Sequence, residues 1–309
     1  MRNLLILGGT GFIGKNIVEK LLMNDYRIVV VTRQCNIKFD GFYNPSNLII
    51  KPGKIGDHYL IKSLLREYKI DTVIHLVSNL IPASTYDEFN VELEEVILPT
   101  FKLINHVVLE RIRFIFFSSG GTVYGKSDDL IKESHELNPI NYYGYSKLLI
   151  EGHIKFLERV GNLHYTIIRP SNAYGKYQRS EGNQGFIGIS LKKIMNNQPI
   201  TIWGDGKVIR DFVYVDDLAE ITKRIITSAM GAEIYNVGSG QGRTLIEIID
   251  LMRNYCNKDV EIQWGNSRSV DANRIILNIA KIQNHFGFTP TSIEVGLKEF
   301  IDWIRINEK

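Results

Sequence analysis

A chain of 309 residues, 44% apolar and 23% charged, is long enough to bury one large core or two modest ones. Its formal charge of +3 leans basic, but Lys and Arg are scattered and no basic stripe with interleaved aromatics appears, so a nucleic-acid partner is not expected. The two cysteines, Cys35 and Cys256, are far apart and lack metal-ligand or CxxC spacing, which argues against a disulfide framework or a metal site and makes a reducing cytoplasm the expected compartment.

Leu4 to Leu7 reads as a buried strand. It is too short for the apolar region of a signal peptide, and no later stretch reaches bilayer-spanning length, so no membrane association is expected. Gly8-Gly9-Thr10-Gly11-Phe12-Ile13-Gly14 follows directly and opens a segment in which Ile13, Ile17 and Leu21 recur every four residues on one helix face. Glycines at 8, 11 and 14 permit a tight turn, close backbone approach to a pyrophosphate and close packing of helix on strand. The helix start at Phe12 and Ile13 offers N–H donors and the positive end of a dipole. The second run, Ile28 to Val31, ends at Thr32-Arg33, where a dinucleotide site ordinarily has a carboxylate for the adenosine ribose; a cation there suits a ribose 2′-phosphate.

Further β-branched or aromatic runs follow at Leu48 to Ile50, Thr72 to Leu76, Phe114 to Phe117 and Tyr165 to Ile168, with room for helices between them. This alternation predicts an α/β fold, a doubly wound parallel sheet covered on both faces. Between the last two runs, Tyr143-Gly144-Tyr145-Ser146-Lys147 places a tyrosine and a lysine four apart on one helix face. A free phenol holds its proton to a pKa of about 10 and needs a nearby ammonium to ionise near neutrality. After Arg169-Pro170 the texture becomes rich in Gly and Asn, with a helical pattern around 189–195, a turn at Trp203-Gly204-Asp205-Gly206 and one more strand at Ile234 to Val237.

The glycine loop, Ser118-Ser119-Gly120-Gly121-Thr122-Val123-Tyr124-Gly125, YxxxK, Arg169-Pro170-Ser171-Asn172 and Gly204-Asp205-Gly206 with Arg210-Asp211 together resemble the nucleotide-sugar epimerase, dehydratase and reductase branch of the extended short-chain dehydrogenases, nearly end to end. The resemblance implies a Rossmann-type NAD(P)-binding domain over residues 1–168, with 204–240 available to complete its sheet, and a smaller α/β substrate domain over 169–309. It implies Tyr143 as acid/base, with Lys147 lowering its pKa and holding the nicotinamide ribose. Leu76 and Ser78, with His75 and Val77, would line the cofactor mainly by backbone. Asn172 would face the sugar diphosphate, Arg210 and Arg268 would contact phosphate, and Asp271 the nucleoside ribose. A homodimer paired through helices beside YxxxK is also implied.

Three departures from that pattern carry information. The family's hydroxyl donor falls on Gly120, so Ser119 or Thr122 must donate or the bond is absent. The acidic residue after the second strand is replaced by Thr32-Arg33, and the family's Asp near the adenine aligns with Lys54. Two carboxylates lost and two cations gained point toward a phosphorylated adenosine, so the expected cofactor is NADP, with NAD as the alternative. At the positions where dehydratases carry Asp-Glu, this chain has Gly121-Thr122, which argues against dehydration. The expectation is a reductase of a nucleoside-diphosphate 4-keto-6-deoxyhexose. The alternative is a nucleotide-sugar 4-epimerase of the UDP-glucose or UDP-N-acetylglucosamine type. A remote third reading, a non-catalytic dinucleotide-sensing module, leaves Tyr143 and Lys147 without a use.

Overall fold

A computed structural model describes residues 1–33, 37–40, 44–178, 185–229, 231–266 and 272–307. Six strands alternate with helices along the first half: β1 (Arg2–Leu7), α1 (Phe12–Leu22), β2 (Tyr26–Thr32), β3 (Leu48–Pro52), α2 (His58–Glu67), β4 (Thr72–His75), α3 (Tyr86–Glu92), α4 (Leu98–Leu109), β5 (Arg113–Phe117), α5 (Tyr142–Gly161) and β6 (Tyr165–Pro170). The second half adds β7 (Asn172–Tyr174), α6 (Phe186–Met195), β8 (Ile200–Trp203), β9 (Ile209–Tyr214), α7 (Val215–Thr227), β10 (Glu233–Val237), β11 (Gly242–Thr244), α8 (Leu245–Cys256), β12 (Ile262–Gly265), β13 (Arg274–Ile275), α9 (Ala280–Phe286) and α10 (Ile293–Asn307).

The main sheet has seven parallel strands in the order β10-β6-β5-β4-β1-β2-β3. Its strands are apolar on both faces, as a sheet sandwiched between helices requires. Leu4, Ile6, Val30 and Ile115 point to the face covered by Ile17 and Leu21 of α1, Ile221 of α7 and Ile282 of α9. Their neighbours Leu5, Leu7, Val29 and Phe114 point to the other face, against Ile61 of α2, Leu103 of α4 and Ile150 and Ile154 of α5. The period of two along each strand thus divides one apolar run between two cores. Strand order reverses between β1 and β4, and the carboxyl ends of the strands at such a reversal are the usual ligand position of an open α/β sheet.

The expected strand at Ile234 to Val237 is β10, paired in parallel with β6 at the sheet edge. Segment 172–174, for which the sequence predicts no element, is β7, a three-residue strand held by β9 in the register Asn172↔Phe212. Three residues are too few to show an alternation. Strands β11 and β13 also pair with β9, and β8 pairs with β12. A third core, including Ile187 and Leu191 of α6, Ile249 and Met252 of α8 and Leu297 and Phe300 of α10, supports these small sheets. Among the described residues no helix is long and apolar enough to cross a membrane, and no cluster of three or more His, Cys, Asp or Glu is arranged to hold a metal.

Candidate active site

The glycine loop turns between β1 and α1, and the structure gives each key glycine a physical reason. Gly8 has φ 83° and lies against the end of β4, where an added Cβ would come within 3.2 Å of Leu76 C and Val77 N. At Gly14 a Cβ would fall 2.1 Å from Gly8 O, so α1 can pack on the loop only without a side chain. Gly11 caps α1 without any side-chain hydrogen bond, which leaves the first N–H groups of the helix, at Phe12 and Ile13, uncapped at that end of the sheet. This cradle fits a dinucleotide pyrophosphate. The loop is tied to the end of β2 through Thr10 Oγ1 and Thr32 Oγ1, 3.2 Å apart.

Arg33 leaves the end of β2 and Lys54 leaves the end of β3; both are exposed. The two strands are neighbours in register Thr32↔Pro52, so the cations stand on one rim beyond the glycine loop. On the opposite side, Leu76 N donates to Leu7 O at 2.9 Å, extending the β1–β4 ladder. Ser78 Oγ donates to Glu92 Oε1 at 2.9 Å and Asn79 N to Oε2 at 3.0 Å. His75 is fully buried, its Nε2 2.9 Å from Thr100 Oγ1. Burial, with the Lys147 charge adding, pushes its pKa down to about 3, so its ring is neutral and belongs to the core.

Helix α5 starts at Asn141, whose side chain accepts from Gly144 N at 2.8 Å. Gly144, inside YGYSK, lets the helix sit on the segment after β5: a Cβ there would lie 2.6 Å from Thr122 O. The docking places Tyr143 near Ser119, two residues past the end of β5, whose side chain acts to lower the phenol's pKa. Burial pushes Tyr143 up to about 12, opposed by Ser119 and assisted by the Glu92 charge. The resemblance implies a phenol acidified by Lys147; in the protein alone, burial outweighs any such effect. Lys147 is itself buried, its Nζ 5.5 Å from the Tyr143 ring centre, and burial holds it down to about 8 against the raising influence of Glu92 and Glu151.

Gly120 cannot carry the family's hydroxyl. A Cβ at that position would come 2.6 Å from Leu277 Cδ1 and 2.9 Å from Arg169 O. Of the two substitutes named from sequence, the structure brings Ser119 to Tyr143. Thr122 Oγ1 is buried with no hydrogen-bond partner among the described residues. Gly121 is different again: a Cβ there would meet Asn172 Oδ1 at 3.7 Å and Ser119 Oγ at 3.9 Å, ordinary van der Waals contacts that leave room for a side chain's first atom.

Sequence reasoning missed the frame behind this group. Arg169 is fully buried and binds Glu151 of α5 through two bonds, Nε to Oε1 at 3.0 Å and a second guanidinium nitrogen to Oε2 at 2.5 Å. It also donates to Tyr124 OH at 2.7 Å, and that hydroxyl donates to Asn236 Oδ1 of β10 at 2.7 Å. The visible signals were Arg169-Pro170 and Tyr124, quoted only as parts of motifs.

A cleft of about 1400 Å³ is lined by Tyr142 and Tyr145, which flank Tyr143 in the chain, and by Asn172, Phe186, Trp203 and Arg210; Tyr143 itself is not in that lining. Asn172 Nδ2 donates to Asp211 O at 2.9 Å, and Arg210 donates to Ala272 O at 2.7 Å. Asp211, fully buried, accepts bonds from Ser239 N at 2.8 Å and from Gly240 N and Leu277 N at 3.2 Å each, which anchors β9 behind the cleft. Arg268 and Asp271, expected at the substrate phosphate and ribose, lie outside the described residues.

The profile of the NAD dependent epimerase/dehydratase family matches residues 4–238. The chain belongs to this family. A family member from Escherichia coli, a dTDP-4-dehydro-6-deoxyglucose reductase, is 33% identical, with 97% of each chain covered. A Methanocaldococcus jannaschii protein, provisionally named a UDP-glucose 4-epimerase, is 31% identical with 99% of each covered. In structure, the UDP-glucose 4-epimerase of Thermotoga maritima, solved with UDP-glucose, superposes with a TM-score of 0.90 at 27% identity, covering 99% of this chain and 100% of that one. The family member described here is therefore a nicotinamide-dinucleotide-dependent enzyme with a Rossmann-type fold.

Proposed function

We propose that this enzyme reduces the 4-keto group of a nucleoside-diphosphate 4-keto-6-deoxyhexose, such as a dTDP-linked one, with NADPH. The observation that carries the reading is the pair of exposed cations, Arg33 and Lys54, that follow the neighbouring strands β2 and β3 where a tightly held NAD would meet carboxylates. Tyr143 is partly buried, and burial pushes its pKa up to about 12, so it carries its proton near neutrality. Such a phenol can serve as the acid that a carbonyl oxygen needs as its carbon is reduced. Tyr143 O–H would donate to the oxygen that becomes negative as C4 is reduced, and Ser119 would hold that oxygen and the phenol in line. Lys147, still largely charged near neutrality, would favour the phenolate left behind and hold the nicotinamide ribose. The dinucleotide, when bound, supplies the hydride. Gly8, Gly11, Phe12, Ile13 and Gly14 would hold its pyrophosphate, Leu76 and Ser78 its nicotinamide side, and Thr32, Arg33 and Lys54 its adenosine.

Two cations at the adenosine rim support NADPH, which a reductase releases and rebinds each turnover. Asn172 and Arg210 would face the diphosphate, together with Arg268, and Asp271 the nucleoside ribose. In this division residues 1–168 hold the dinucleotide and 169–309 the sugar nucleotide. The 33% identity to a reductase over nearly the whole of both chains supports the choice. A 4-epimerase is the second reading, favoured by the close superposition on the Thermotoga enzyme. Mixing the purified enzyme with NADPH and a dTDP-4-keto-6-deoxyhexose should consume reduced cofactor stoichiometrically. Retention of bound cofactor, with UDP-glucose interconverting with its C4 epimer at no net cost in cofactor, would establish the epimerase instead.

A further inference from the structure

Glu92 ends α3 and is 1% exposed, yet among the described residues it contacts no cation. Its oxygens are held by Ser78 Oγ and Asn79 N, just beyond the end of β4. Helix α3 is packed on the first turn of α5: the Phe89 ring stacks on Tyr142 at 5.3 Å and meets Tyr145 at 5.5 Å. Glu92 lies one turn beyond Phe89, and Lys147 lies two residues beyond Tyr145, so the packing of α3 on α5 sets a buried acid and a buried lysine on two facing helices. Immediately after Glu92 the backbone makes a π-helical stretch, Leu93–Ile97, before α4 begins. Such a widened turn is uncommon, and it re-aims the side chains beside it.

We propose that Glu92 is a positioning residue for the catalytic group, its buried carboxylate keeping the Lys147 ammonium charged inside the protein while it fixes Ser78 and Asn79 at the cofactor rim. The other groups facing Lys147 cannot do this as well. His75 of β4 is neutral and its neighbourhood with Lys147 is unfavourable to charge. Tyr143 carries its proton. Glu151, one turn along α5, is committed to Arg169 through two hydrogen bonds. Glu92 is the larger of the two influences that oppose the burial cost of the lysine. The same carboxylate disfavours the phenolate, so it helps keep Tyr143 an acid.

The inference rests on the catalytic assignment of Tyr143 and Lys147, but its test does not require turnover. In full-length protein carrying 13C-labelled lysine, the Cε resonance of Lys147, assigned by its loss in Lys147→Met, should titrate at about 8. Glu92→Gln preserves shape and removes the charge, and should lower that midpoint by about 1–3 pH units. Glu92→Asp keeps the charge but withdraws it by one methylene, so its midpoint should fall between the two. An unchanged midpoint in folded Glu92→Gln would overturn the inference; if that variant does not fold, an unchanged midpoint in Glu92→Asp does so. Retained activity in Tyr143→Phe would instead overturn the catalytic assignment and leave the titration result standing.

Discussion

At Gly120 the packing leaves no room for a side chain. The backbone at this position runs so close to Leu277 and Arg169 that the family's serine or threonine would not fit. Of the two hydroxyls that could replace it, that of Ser119, one residue earlier, bears on Tyr143, and we propose it as the donor. Gly120→Ser should therefore add no activity and should destabilise the fold by about 1–3 kcal/mol through overpacking, read as a lower denaturant midpoint. The absence of a hydroxyl at 120 was legible in the sequence. The choice between Ser119 and Thr122 was not, because it depends on how α5 settles on the end of β5. Arg33 raises a separate question of cofactor choice. Arg33→Ala should raise the apparent KM for NADPH several-fold more than that for NADH; an equal effect on both would place the side chain away from the 2′-phosphate.

At the scale of elements, the glycine loop and YxxxK were readable because each is local, a turn followed by a helix face. The frame that aligns them is not local. Arg169 leaves β6 and joins α5, the Tyr124 segment and β10 across intervals of 18 to 45 residues and beyond. Composition and periodicity carry no trace of such partners. Breaking this buried pair with Glu151→Gln leaves a guanidinium without its counter-charge and should cost about 3–5 kcal/mol, measured by chemical unfolding. A cost below about 1 kcal/mol, the range of an exposed pair, would show that the network does not brace α5. The short strands around β9 escaped notice for a related reason: segments of two or three residues hold their place by pairing with β9, and their own patterns are too brief to announce it.

At the scale of the whole molecule, a long parallel sheet places the glycine loop, the end of β4 and the end of β5 along one edge, and residues of β7, β8 and β9 in the second half line a cleft together with the start of α5. The alternation of apolar runs gave that architecture away early, whereas the depth of the cleft and its lining needed the third core. Helices α4 and α5 lie side by side, with the Phe101 and His153 rings stacked at 4.1 Å, and they expose Leu98, Leu109, Phe156 and Val160. We propose that this face pairs two copies of the chain. Light scattering should give twice the mass of one chain for the native enzyme, and Phe156→Glu should shift it towards a single chain; a native mass of one chain would remove the proposal. The central claim, that Tyr143 gives its proton to a sugar oxygen while the adjoining carbon is reduced, is tested most directly with NADPH carrying deuterium at its transferable position. The account predicts deuterium at C4 of the product hexose, formed at least ~100-fold more slowly by Tyr143→Phe. A product without deuterium, or a variant that labels it at the native rate, would contradict it.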